Sequence, residues 1–214
     1  MASNAVPIDW VSRIVGYQLT KGNFQTTSPN LPQSIALFGE ANDANQSTLD
    51  TTPTLVTSAQ AVGTKYGYDS PLTIMARILF PYSGGGVQGI PVTVYPQAKA
   101  VGATAKIFNI TPSGVATGSG THYLKIAGRE GLDGQFYAIN IVSGDTGADI
   151  VTKIYDTVNS VLGGPFIATD TEYVATLTSK WSGATAEDLT VSVDTGNNAF
   201  GITYGVASAS TATG

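Results

Sequence analysis

The chain has no cysteine, one histidine and few charges. Without cysteine there is no disulfide, no thiolate ligand for zinc and no cysteine nucleophile. One histidine, His122, is a thin basis for acid–base chemistry, which needs a nucleophile and an orienting group beside it. Neither a G-x-S-x-G elbow nor an H-E-x-x-H pair is present. Charged residues make up 12% of the chain, against about 25% in ordinary globular domains. The net charge is −5, with no lysine or arginine cluster, so the basic footprint of a nucleic-acid binder is missing. No apolar run approaches the roughly 18 residues of a membrane span. Asp9 and Trp10 interrupt the stretch that a signal peptide would need to keep apolar. These absences lead us to expect no enzyme, no cofactor, no metal, no nucleic-acid partner and no direct membrane insertion.

What is present divides the chain into three. Residues 1–33 read as an N-terminal arm and linker. Val6 to Leu19 is moderately apolar, and the polar stretch after it is punctuated by Pro29 and Pro32, which favour an extended path. An apolar segment on a polar tether is suited to docking on a partner. Its candidate subunit contacts are Ile8, Trp10, Val11, Ile14, Val15 and Tyr17, with the Trp10 ring as anchor.

Residues 34–99 read as a partial α/β region. SIALFGE (Ser34–Glu40) has the continuous apolar pattern of a buried strand, and IPVTVYP (Ile90–Pro96) reads as another. Between them lie a short helix capped by Thr57 or Ser58, and a second helix with Ser70 as cap and Pro71 in its first turn. Two buried strands are too few for an independent α/β sheet, so the remainder is expected to come from elsewhere.

Residues 100–210 alternate polar and apolar between turn residues. Strands are expected near 104–110, 121–127, 134–142, 172–179, 188–194 and 200–207. One helix near 146–162 interrupts them. Thr146 and Asp149 stand at capping-box spacing; Ile150, Ile154, Val158, Val161 and Leu162 form its apolar face, and Gly163 and Gly164 stop it. The expected class is α+β: a partial α/β core plus a β-rich module with one packed helix. The ending GVASASTATG reads as a linker-like tail.

Three motifs invite chemistry. Gly84, Gly86 and Gly89 have G-x-G-x-x-G spacing, but a helix precedes them and a strand follows, the reverse of a dinucleotide fingerprint. A pliable connection is the expected reading. His122 is expected on a strand surface, and Trp181 over a sheet edge. The acidic residues near turns (Asp43, Asp50, Asp133, Asp145, Asp149, Asp188 and Asp194) do not follow an EF-hand pattern, and caps and turns account for Asp133 and Asp145.

The order LPQSIALFGEAN, IMARILF, IPVTVYPQ, YLKIAGREGLDGQFYAINIVSGDTGADIVTKIYDTVNS and EYVATLTSKWSGATAEDLTVSVDTG resembles the N-terminal half of the contractile-tail sheath proteins of myophages, in particular the Mu-like group. The resemblance covers most of residues 30–207, and Leu124 to Asp194 is its most specific part. Trp181, Ala186 and Glu187 depart from the commoner residues. It implies a structural subunit that polymerises with copies of itself around a tail tube and contracts during DNA delivery, located in the virion. Longer relatives imply that this chain is an N-terminal fragment, monomeric by itself. The alternative is a β-rich adhesion or binding module of a surface protein.

Overall fold

Ser58, Ser70 and Thr146 each accept a hydrogen bond from a backbone N–H three residues on, and each starts a helix. These are the first-turn donors that a helix cannot satisfy internally. The computed structural model describes residues 33–84, 86–87, 89–128 and 135–214. The chain divides into two compact units, Met1–Gln33 and Ser34–Gly214. The six candidate contact residues, Ile8 to Tyr17, lie outside the described residues, as does Asp133.

In the second unit the first sheet holds β1 (Ile35–Glu40), β2 (Thr54–Val56) and β3 (Val92–Gln97), in the order β1-β3-β2. β1 runs parallel to β3 and β2 antiparallel to it. Helices α1 (Ala59–Tyr66) and α2 (Pro71–Leu79) make the crossover. They bury Leu37, Val56, Val92 and Val94 against Val62, Tyr66, Leu72 and Ala76. A 3-10 turn over Asp43–Thr48 occupies part of what reads as loop in the sequence.

A second core takes its strands from two further sheets. One has the order β10-β4-β8-β7, from β4 (Ala105–Ser113), β7 (Phe166–Thr171), β8 (Val174–Ser182) and β10 (Thr203–Ser210). The other has the order β6-β5-β9, from β5 (Gly120–Ala127), β6 (Gln135–Ile141) and β9 (Thr190–Asp194). Helix α3 (Gly147–Ser160) touches strands of both sheets and buries Ile150, Val151, Ile154 and Val158 among them. The molecule is a mixed α+β fold. Ile74, on α2, turns away from the first core into the second, so α2 is apolar on two sides.

Several expectations change here. α3 ends at Ser160, with Val161 as its C-cap, and Leu162 is exposed. β7 falls in a stretch with no sequence expectation; its alternation is short, with Phe166 and Ala168 buried. β8 runs on to Ser182, so Trp181 sits on the strand and is fully buried, its indole N–H donating to Thr185 Oγ1 at 3.1 Å. The linker-like ending is ordered instead. Thr203–Ser210 pairs with β4, and beyond it Thr104 N donates to the Thr213 carbonyl at 2.8 Å. The entry and exit of the β-rich region are thereby tied together. A short helix, α4 (Ala184–Glu187), completes the clasp: the Glu187 carboxylate accepts from Lys106 Nζ at 2.5 Å and from Ala212 N at 2.6 Å.

Candidate interaction surface

Side chains alternate across a strand, so a sheet covered by helices on one side presents every second residue on the other. In the first sheet those residues are Ala36 and Phe38 on β1, Thr93 and Tyr95 on β3, and Leu55 on β2. Phe38 is 59% exposed and Leu55 63%. The register sets Phe38 beside Tyr95, and their rings stack with centroids 4.8 Å apart. Parallel strands are ordinarily covered on both faces, yet among the described residues nothing covers this one. The sheet also ends at β1 on one side and at β2 on the other.

The glycine stretch lies between α2 and β3, the helix-then-strand order of the sequence reading. Gly84, Gly86 and Gly89 line a cleft of about 670 Å³ together with Leu55, Tyr82 and Ile90. None of the residues that form the cleft is charged. A pyrophosphate needs cations or convergent backbone donors at a helix start; the cleft offers no cation, and at the start of α1, which borders it, the Ser58 side chain already takes the Ala61 N–H. Gly84 and Gly89 have φ of 80° and 82° with open space around them, so backbone conformation demands glycine there. Gly86 differs: a Cβ would overlap the Leu79 carbonyl.

His122 is fully buried, which corrects the surface expectation. Tyr204 on β10 and the Asn198 carbonyl, both distant in sequence, enclose it. Most of these acidic residues act locally. Asp149 completes the capping box with Thr146, Asp50 accepts from Thr52 N at 2.9 Å, and Asp194 accepts from Gly196 N at 2.8 Å. Asp145 accepts from Val142 N at 2.6 Å and pairs with Lys153. Asp43 joins the two cores, accepting from Ser182 Oγ at 2.5 Å. Among the described residues no three His, Asp or Glu side chains converge as metal ligands.

Sequence reasoning missed Phe38, Tyr95 and Leu55. A signal was there: the continuous run IALFG and the alternation VTVY each place an aromatic out of step with the buried aliphatics. Nothing in a one-dimensional pattern says whether a second layer exists above them. No protein-family model and no curated protein matches this chain.

Proposed function

We propose that this chain is a structural subunit of a bacteriophage contractile tail sheath, present here as an N-terminal part, with no catalytic role. One observation carries the reading. A parallel strand pair has helices on a single face and leaves Phe38 and Leu55 exposed on the other, with Tyr95 half-buried beside Phe38. A sheet of this kind is completed by further chain, from the same polypeptide or from a neighbour. The resemblance of residues 124–194 to the Mu-like sheath group supplies the identity of that larger assembly. The partners are then copies of the subunit and the tail tube, in the virion, and residues 6–19 are the arm that contacts a neighbour. The clasp between Thr104 and Thr213 supports a β-rich region carried as a module on the α/β part. The test is to express the complete coding frame and image it by negative stain. Hollow helical tubes are expected; a soluble monomer under every assembly condition overturns the proposal.

A second reading, a β-rich adhesion module, rests on the outer face of the β6-β5-β9 sheet. Phe136 is 64% exposed there and Tyr123 43%, with Lys125 Nζ 5.6 Å from the Phe136 ring centre. Specific retention on a glycan array, lost in Phe136→Ala, would favour it.

A further inference from the structure

His122 is the chain's only histidine, and its surroundings dictate its tautomer. The Asn198 carbonyl, 3.2 Å from Nε2, can only accept, so Nε2 carries the proton. Nδ1 is then a lone pair, and the Tyr204 hydroxyl 2.7 Å away donates to it. The Phe200 ring stacks on the imidazole (centroids 5.8 Å apart, planes 20° apart), and Tyr204 meets it edge-on at 5.5 Å. All three partners come from one stretch, the turn after β9 and the start of β10.

That stretch is strained. Phe200 has φ of 49°, a left-handed backbone that residues other than glycine rarely adopt. It persists because its neighbours hold it. The Phe200 ring lies against Gly118 and Gly120, where any Cβ would overlap it. Its carbonyl accepts from Thr117 N at 2.8 Å, and its own N–H donates to Asn198 Oδ1 at 2.9 Å.

We propose that residues 195–201, between β9 and β10, form an acid-released strap, latched over the sheet by neutral His122. A proton taken from solvent by Nδ1 turns an acceptor into a donor, facing a hydroxyl that already donates. The Tyr204 hydroxyl must rotate to accept, and the ring then carries a charge inside the enclosure. The groups facing it are the Tyr204 hydroxyl, the Asn198 carbonyl, the Phe200 ring and its cross-strand neighbour Ile139 on β6. None is an anion; burial pushes the Tyr204 hydroxyl up to about 12, so it stays neutral. The charged side chains of the same sheet, Lys125 and Asp194, are exposed on its other face, and Asp194 is engaged by Gly196 N. A buried cation without a counter-charge is costly. Lifting the strap hydrates the ring and relieves the backbone of Phe200. Release of the strap is thereby tied to protonation of the ring.

The latch is independent of whether the chain assembles. Hydrogen exchange on the full chain tests it, at about pH 7.5 and about pH 5, with rates corrected for the intrinsic chemistry. The amides of Thr117 and Ile202, which donate to Phe200 and Ala199, should lose protection by about tenfold or more in acid. The β4–β8 ladder should not change. His122→Gln should make strap protection independent of pH. Should that variant fail to fold, NMR of the wild-type imidazole decides, since one histidine gives one set of ring signals. Protonation must coincide with loss of the Phe200 ring-current shift. An imidazole that protonates while Thr117 and Ile202 stay protected overturns the proposal, and so does strap protection that does not vary with pH.

Discussion

At the scale of single residues, burial decides behaviour more than residue type does. Tyr137 and Tyr204 have hydroxyls pushed up to about 12, for both mainly because burial disfavours the phenolate. For Tyr137 the charge of Asp69 adds to the effect. Unfolded tyrosine releases its proton near 10.0, so above that pH the unfolded chain binds fewer protons than the native one. Stability is therefore complete below about pH 10 and falls as pH rises toward about 12. Urea midpoints at about pH 9 and about pH 11, followed with tyrosinate absorbance, should show that fall. Tyr137→Phe combined with Tyr204→Phe should flatten it, and an unchanged slope in the double variant would contradict the assignment. His122 and Trp181 teach the same lesson. In the sequence His122 stands in an alternating strand and Trp181 just beyond one, and neither pattern says which face is inside.

At the scale of elements, helix starts were legible and strand ends were not. Ser70 with Pro71, and Thr146 with Asp149, are local chemistry: a side-chain oxygen three residues before the N–H it accepts from. Thr146→Ala should cost about 1 kcal/mol of stability, read by urea denaturation with far-ultraviolet circular dichroism. The Thr146 backbone N–H, and then its hydroxyl, hold the Asp149 carboxyl below its ordinary range. Its share of the cap is present above the ordinary carboxylate range and disappears as pH falls through the lowered value. The gap between wild type and Thr146→Ala should thus narrow in acid; a gap that widens would rule out the carboxylate's role. By contrast β7 went unread, and the strand expected near 200–207 lies at Thr203–Ser210, running on into the stretch read as a linker. Each is an edge strand of its sheet, and edges need only half the apolar pattern of a central strand. β10 is exposed along most of its length, with small uncharged residues from Gly205 to Ala209, so nothing local separates its end from a linker.

At the scale of the whole molecule, the two cores meet through Ile74, an apolar plug, and through the Asp43–Ser182 bond. The uncovered sheet face lies on the first core. Phe38→Lys removes a ring that is already 59% exposed, so it should change folding stability by no more than about 0.5 kcal/mol. On the proposed function it should abolish tube formation by the complete protein while the urea midpoint stays put. Normal tubes from that variant would exclude this face from the assembly.

Composition alone excluded disulfides and cysteine chemistry, and the 3.6- and 2-residue periods named most helices and central strands, because those signals are local. Tertiary structure alone decided that Trp181 and His122 are interior, that the chain beyond the last strand closes on Thr104, and that an exposed Phe38 stacks on a half-buried Tyr95. Each of these depends on which distant residues come to lie above a strand, and contacts across some 80 to 110 positions, such as His122 with Tyr204 or Thr104 with Thr213, leave no periodic trace along the chain.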